Sequence, residues 1–108
     1  MSFIKVATID QIPLGTMKAY AVNDKGILVT HYDGKYYAMK LKCTHMGGDL
    51  SRGKLEGKVV TCPRHGAKFD VTTGECISGP KLGLTRPKIK NEIIYTVKVD
   101  GNNILVEI

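Results

Sequence analysis

The sequence lacks features that would place the chain in a membrane or a secretory pathway. It contains no run of about 18 apolar residues, so we expect no helix that spans a bilayer. The stretch from Met1 to Asp10 lacks the basic and apolar regions of a secretory signal. Apolar residues make up 43% and charged residues 24%, a composition typical of globular proteins. We therefore expect one cytoplasmic domain that spans residues 1–108.

Cysteine is scarce, and its count is odd. The chain has 3 cysteines, at positions 43, 62 and 76. An odd number in a chain without a secretory signal argues against a disulfide framework. Thiols that stay reduced in a cytosol are available as metal ligands instead.

Acidic residues are outnumbered by basic ones, and the formal net charge is +6. The basic residues are scattered singly, without the block or the aromatic pattern that is typical of nucleic-acid binding. We expect no nucleic-acid partner. The excess charge predicts a lysine-rich surface, which could attract an acidic protein.

Helical periodicity is also missing, and short runs of β-branched and aromatic residues take its place. The pair Asp33-Gly34 lies between two such runs and predicts a tight hairpin, and Asp100-Gly101 predicts a second one. The sequence therefore predicts an all-β, antiparallel fold. The expected strands of its base are Phe3–Thr8, Met17–Val22, 27–32, Lys35–Lys40, 93–99 and 103–108.

The middle of the chain differs from its ends. More than half of the 12 glycines lie between residues 43 and 80, where apolar runs shrink to 58–61 and 68–71. We expect such a loop-rich region to bury little apolar area by itself and to depend on a bound metal. The prediction is a base formed by about 1–40 and 85–108, with an inserted lobe at about 41–84.

Two short motifs in this lobe combine cysteine with histidine. The pattern is C-x-H at 43–45, followed after 16 residues by C-x-x-H at 62–65. Glycines follow each motif and let the backbone bend around a metal group. The candidate ligands are Cys43, His45, Cys62 and His65.

Three interpretations of the two motifs are open. In the first, the cysteines and histidines are ordinary core and loop residues. In the second, they form a structural Cys2His2 zinc site, although zinc sites usually pair Cys with Cys and His with His. In the third, two equivalent loops each give one thiolate and one imidazole to a two-iron cluster.

The motifs resemble the two cluster-binding boxes of the Rieske iron–sulfur family, and residues 78–80 (Ser-Gly-Pro) resemble its proline loop. The resemblance implies a Rieske-like antiparallel sandwich or barrel with one 2Fe-2S cluster per chain. It implies that Cys43 and Cys62 bind the inner iron, and that His45 and His65 bind the outer iron near the surface. Neutral imidazoles on one iron make such a cluster easier to reduce than an all-cysteine one.

The sequence departs from the high-potential members of that family. Gly48 and Arg64 stand where those relatives have two cysteines joined in a disulfide. Ala67 and Phe69 match a serine and a tyrosine whose hydroxyls bind sulfur in those relatives. Because hydrogen bonds to sulfur stabilise the added electron, we expect a potential toward the low end of the Rieske range, of order −150 mV.

The resemblance is to soluble Rieske-type ferredoxins, which implies an electron carrier between a reductase and an oxygenase or other acceptor. An oxygenase would need a second iron site, and no histidine follows residue 65. A small subunit of a nitrite reductase and a zinc-stabilised interaction module remain alternatives. Basic residues near the motifs are expected to attract an acidic docking face: Lys42, Arg52, Lys54, Arg64 and Lys68.

Cys76, His31 and Asp70 lie outside the two motifs, although their side chains could also bind a metal. We predict that Cys76 is a thiol without a role in the cluster. His31 and Asp70 are interpreted as structural or surface residues.

Overall fold

The computed structural model describes residues 2–44, 47–64, 66–81, 83–87 and 89–108. These residues form eleven strands and two single-turn 3-10 helices, Ile9–Gln11 and Leu50–Arg52, without an α-helix. Within the same residues, no helix is long and apolar enough to cross a membrane. The predicted all-β fold is confirmed. The strands are β1 (Phe3–Thr8), β2 (Met17–Val22), β3 (Lys25–Tyr32), β4 (Lys35–Lys40), β5 (Lys54–Glu56), β6 (Val59–Thr61), β7 (Lys68–Asp70), β8 (Cys76–Ser78), β9 (Ile94–Tyr95), β10 (Val97–Asp100) and β11 (Asn103–Glu107).

The described strands form three antiparallel sheets. The first sheet has the order β1-β11-β10, and the second has the order β2-β3-β4-β9. The third, which we call the lobe sheet, has the order β5-β6-β7-β8. Its strands all lie between β4 and β9 in the chain, and β4 and β9 are neighbours in the second sheet.

Two-residue turns explain most of the hairpins. Asp33 and Gly34 have φ of 51° and 78°, so the predicted hairpin between β3 and β4 is confirmed as a turn with two left-handed residues. The predicted hairpin at the end of the chain exists, but Asp100 still pairs with Asn103, and the turn begins at Gly101.

The segment predicted as a single strand at 93–99 is instead two short strands, so this prediction is wrong. β9 pairs with β4 in the second sheet, and β10 pairs with β11 in the first. Thr96 lies between them, and its carbonyl accepts a hydrogen bond of 2.9 Å from the Glu107 N–H. A continuous apolar pattern cannot show this change of sheet, because both strands have similar residues.

The second sheet separates two apolar cores. One core lies between the first and second sheets, and the other lies on the opposite side of the second sheet. Successive side chains of β3 point alternately into the two cores. We call the two clusters the base core and the lobe core. The buried residues of the base core are Ala7, Ile12, Ile27, Val29, Ala38, Ile104 and Val106; those of the lobe core are Leu28, Met39, Cys43, Leu50, Val60, Cys62, Ala67, Phe69, Val71 and Cys76.

The lobe buries more apolar surface than the sequence led us to expect. Phe69, Leu50 and Val60 are fully buried. Their core is completed by Leu28 and Met39, which belong to β3 and β4 of the second sheet. The short apolar runs of the lobe suffice because they pack against a face that the base provides.

Candidate metal centre

The two predicted cysteine motifs lie in loops with the same backbone hydrogen bonds. We call residues 43–48 the first cysteine loop and residues 62–67 the second. The Cys43 N–H donates to the Gly48 carbonyl at 2.7 Å, and the Cys62 N–H donates to the Ala67 carbonyl at 2.7 Å. Each cysteine carbonyl then accepts from the N–H four residues later, at 3.2 Å in both loops. The two loops therefore present their cysteines in equivalent ways.

A glycine in each loop makes this bend possible. Gly47 has φ of 66° and Gly66 has φ of 77°, a left-handed conformation that costs other residues about 1 kcal/mol or more. The sequence predicted that glycines would bend the backbone here. The structure places them at matching positions, because each is the residue whose N–H closes the loop.

Both cysteines are buried in the lobe core, and the two loops are in contact. A Cβ atom added at Gly48 would lie 2.8 Å from the Cys62 Sγ and 3.3 Å from the Cγ and Cδ of Arg64. Positions 48 and 64, which by resemblance correspond to the disulfide of the high-potential Rieske proteins, are thus adjacent here. They are filled by a glycine and by the stem of an arginine.

The predicted ligands His45 and His65 lie outside the described residues, so the four-residue ligand set stays a prediction. The cysteine half of the set fits a two-iron cluster. Two thiols are buried in equivalent loops that touch one another, and soft thiolate ligands select iron–sulfur clusters or zinc.

Residues after the lobe sheet contact both loops, and the sequence pattern gave no indication of them. The Thr44 hydroxyl of the first loop donates to the Lys90 carbonyl at 2.8 Å. Arg86 donates from Nη1 to the Gly66 carbonyl of the second loop at 3.4 Å and to the Gly79 carbonyl at 3.3 Å. A lone threonine, or an arginine between turn residues, has no periodicity or spacing that reveals such contacts.

Glu92 is a buried carboxyl group that the sequence analysis also missed. It is only 4% exposed, and its carboxyl oxygens make no close hydrogen bond among the described residues. Burial raises its pKa to about 7, although the Thr44 N–H and the Lys40 charge oppose that rise. We therefore expect this carboxyl group to be partly protonated at neutral pH.

The other residues of metal-binding type have structural surroundings. Cys76 is buried, and its N–H donates to the Asn91 side chain at 2.9 Å. His31 lies in the base, where Nδ1 donates to the Ile12 carbonyl at 2.8 Å and the ring stacks on Tyr36.

Asp70 ends β7 and organises the turn that follows. Its carboxylate accepts hydrogen bonds from the N–H and hydroxyl of Thr72, at 2.8 and 2.6 Å, and it pairs with Lys58. Burial raises its pKa, but these hydrogen bonds and the Lys58 charge together lower it. Asp70 therefore has a structural role, which agrees with its interpretation from the sequence.

Basic side chains surround the lobe unevenly. Arg52 is paired with Asp49 at 3.8 Å, so its charge is partly compensated. Lys54 and Lys68 flank Thr61 on neighbouring strands and are exposed on one face of the lobe sheet.

A basic groove lies beside the first cysteine loop. It consists of two neighbouring clefts, of about 470 and 370 Å³, that share Lys40 and Ile93. The second cleft reaches Thr44, so the groove extends to the loop itself. Its lysines are Lys25, Lys40, Lys42 and Lys90, and Asp24 is an acidic residue that also lines it.

Comparison with known proteins places this arrangement in a family. Residues 2–106 match the family described as the Rieske [2Fe-2S] domain. The chain is 33% identical to the ferredoxin component of the naphthalene 1,2-dioxygenase/salicylate 5-hydroxylase systems of Ralstonia sp., over 98% of this chain and 95% of that protein.

Solved structures agree. The fold is similar to the ferredoxin of carbazole 1,9a-dioxygenase from Nocardioides aromaticivorans IC177, with a TM-score of 0.81, 30% identity, and coverage of 98% of this chain and 97% of that one. It is also similar to a chain in a complex of reduced oxygenase and oxidised ferredoxin in carbazole 1,9a-dioxygenase, with a TM-score of 0.76, 28% identity, and coverage of 96% and 91%.

Proposed function

The chain belongs to the Rieske 2Fe-2S domain family, and from this premise we propose that it is a one-electron carrier between a reductase and an oxygenase. The observation that carries the proposal is the pair of buried cysteines in two loops with the same hydrogen bonds. Relatives that match over nearly their whole length include ferredoxin components of dioxygenase systems. The protein transfers electrons and is not itself an enzyme.

We propose that Cys43 and Cys62 hold one side of the cluster as thiolates and that His45 and His65 hold the other side. When bound, a 2Fe-2S group supplies a site that accepts and releases one electron. The lobe core excludes water from the two thiols, since both cysteines are only 3% exposed. Matching backbone hydrogen bonds in the two loops hold the two cysteines in equivalent positions.

The first test is the electron paramagnetic resonance spectrum of the purified protein after reduction with dithionite. We expect a rhombic spin-half signal with an average g value below that of all-cysteine ferredoxins. Substitution of Cys43 or Cys62 by serine should abolish the signal. The matched variant Cys76→Ser should keep the signal, because Cys76 belongs to the lobe core but to neither cysteine loop. A colourless protein containing zinc would instead establish the zinc-stabilised interaction module.

We also propose that the potential is low, of order −150 mV, because Ala67 and Phe69 have no hydroxyl groups to bind sulfur. Both side chains are buried in the lobe core beside the cysteines. A potential clearly above zero in protein-film voltammetry would contradict this proposal.

We propose that an acidic face of the redox partner docks on the basic surfaces that flank the loops. The groove that contains Lys40, Lys42 and Lys90 supports this proposal, and so do the exposed Lys54 and Lys68. Electron transfer to the physiological partner should slow steeply as the salt concentration rises, because screening weakens such attraction. Rates that do not depend on salt would rule the electrostatic docking out.

Two further predictions complete the proposal. We propose a cytoplasmic location, since the cysteine ligands need a reducing compartment before the cluster is assembled.

We also propose that the chain is one domain, with a base of about 1–40 and 85–108 and a cluster-binding lobe of about 41–84. Limited proteolysis should cut within or at the edges of the lobe before it cuts the base strands.

A further inference from the structure

We propose that the segment that follows the lobe sheet, residues 83–87 and 89–93, positions the two cysteine loops; we call it the return segment. Arg86 and the Lys90 carbonyl make the contacts, one to each loop. The inference rests on the proposed function, since it assigns these residues a role in holding the cluster loops. They are positioning residues and not ligands.

Arg86 connects three parts of the chain. Its Nη1 donates to the Gly66 carbonyl of the second cysteine loop and to the Gly79 carbonyl of the segment that resembles the proline loop. A Cβ atom at Gly66 would lie 3.5 Å from the same nitrogen, so the guanidinium packs against this loop. The planar guanidinium group suits such multiple contacts better than a lysine ammonium does.

Thr44 makes the corresponding connection for the first loop. Its hydroxyl donates to the Lys90 carbonyl at 2.8 Å. Thr44 directly follows Cys43 in the chain, so a fixed Thr44 limits the movement of this cysteine. A side chain therefore connects each loop to the return segment. For the first loop this side chain is Thr44 of the loop itself, and for the second loop it is Arg86 of the return segment.

The return segment is itself fastened to the lobe sheet. The Asn91 side chain accepts a hydrogen bond from the Cys76 N–H at 2.9 Å, and the Glu92 N–H donates to the Gly74 carbonyl at 2.7 Å. The approach at Gly74 is so close that an added Cβ atom would lie 2.4 Å from the Glu92 carbonyl oxygen. A segment held this firmly can restrain the loops that it contacts.

The absence of a covalent brace gives these contacts their importance. Neither cysteine loop contains a cysteine besides its proposed ligand, so no disulfide can brace the loops while both ligands hold the cluster. A metal site loses affinity when the groups that orient its ligands are removed, commonly by 10- to 100-fold. Hydrogen bonds to the return segment provide orientation of this kind for the two loops.

Hydrogen exchange of the purified full-length protein, followed by mass spectrometry, tests the two contacts separately. In Arg86→Gln and Arg86→Lys we expect the peptide that contains residues 62–67 to exchange about tenfold faster, while the peptide that contains 43–48 is unchanged. In Thr44→Val we expect the reverse, and Thr44→Ser should restore the wild-type rate because it keeps the hydroxyl. Lys54→Gln is the matched control, since it removes a positive charge from the lobe without removing a contact to either loop.

A second readout is the rate of iron release to a chelator, which should rise severalfold in Arg86→Gln, Arg86→Lys and Thr44→Val but not in Lys54→Gln. The inference would be overturned if no variant changed the exchange rate of either loop. It would also be overturned if each variant accelerated the exchange of both loops. Exchange does not require an iron cluster. If the protein proved to contain zinc, the proposed function would fail while the exchange pattern still decided whether the return segment holds the loops.

Discussion

The base core and the lobe core differ in what completes them. The base core is built from apolar side chains of two sheets that face one another, such as Ile27 and Ile104. The lobe core contains three cysteines and needs Leu28 and Met39 from the second sheet to be complete. The lobe therefore depends on the base, whereas the described contacts of the base core involve no lobe residue.

The difference between the two cores assigns different roles to the two regions: the base supports the fold, and the lobe carries the cysteine loops. We expect the base to stay folded when the lobe is perturbed, because the base core contains no described residue of the lobe. Substitutions in the lobe should act on the cluster site and leave the base folded. Substitutions in the shared second sheet should affect both regions, because β3 contributes to both cores.

The largest expected effect comes from Phe69→Ala, which removes a fully buried aromatic side chain from the lobe core. We expect a loss of about 3–5 kcal/mol in the stability of the lobe. Hydrogen exchange should accelerate in β5 to β8 while β1, β10 and β11 stay protected. The comparison variant is Ile27→Ala, which changes a fully buried residue of β3. In this variant, hydrogen exchange should accelerate in both the base and the lobe. Equal acceleration of both regions by Phe69→Ala would show that base and lobe unfold as one unit.

A smaller volume change should disturb the site more specifically. In Gly48→Ala the new methyl group would lie 2.8 Å from the Cys62 Sγ, so the two loops must separate. Overpacking of this kind costs up to about 3 kcal/mol. We expect the iron content per chain to fall well below that of the wild type. Gly34→Ala strains a hairpin of the base and should leave the iron content unchanged; equal iron loss in both variants would contradict the steric explanation.

The buried carboxyl group of Glu92 should make stability depend on pH. Its pKa is about 7 in the folded protein, against an ordinary value of 4.5. The folded state therefore keeps a proton that the unfolded state has lost, and the stabilisation is fully present below pH 4.5 and disappears as the pH rises through 7. The difference is of order 2–3 kcal/mol.

Melting temperatures at pH 5 and pH 8 measure this effect. From pH 5 to pH 8, the melting temperature of the wild type should fall by roughly 10 °C more than that of Glu92→Gln. Glutamine keeps the shape of the side chain but cannot ionise, so other titrating groups cancel in the comparison. The same pH dependence in both proteins would assign the effect to another group.

The smallest expected change is electronic. Ala67→Ser adds a hydroxyl group to the second cysteine loop, at a site that is 1% exposed. A hydrogen bond from this hydroxyl to sulfur, worth about 1.4 kcal/mol, would raise the potential by roughly 60 mV. Ala38→Ser makes the same change in the base core and should leave the potential as it is. An unchanged potential in Ala67→Ser would mean that the absence of a hydroxyl group at this position does not lower the potential.

Much of the base could be predicted from sequence because its signals are local. The bounds of β1, β2 and β4 agree with the predicted strands, and the turn at Asp33-Gly34 has the expected conformation. The turn between β2 and β3 was not anticipated. It uses Asn23 and Asp24, which tolerate the left-handed conformation but signal it less strongly than a glycine pair.

The lobe was harder to predict because its structure depends on distant contacts. Its strands β5 and β8 have only three residues each, too few to show an alternating pattern. The cysteine motifs could be recognised from their spacing. Arg86 and Glu92 could not, since a guanidinium group that reaches two carbonyls, or a buried carboxyl group without a close hydrogen bond, is defined only by the folded structure.

The pairing of β4 with β9 has a consequence for how the fold can change over evolution. Ala38 pairs with Tyr95 and Met39 pairs with Ile94, so the chain leaves the base and re-enters it at adjacent points. The lobe is thus an enlarged hairpin loop, and each doubling of such a loop costs only about 0.6 kcal/mol in closure entropy. Insertions and deletions can accumulate between these two strands without shifting the register of the base. A lineage could in this way change its lobe while it inherits the same base.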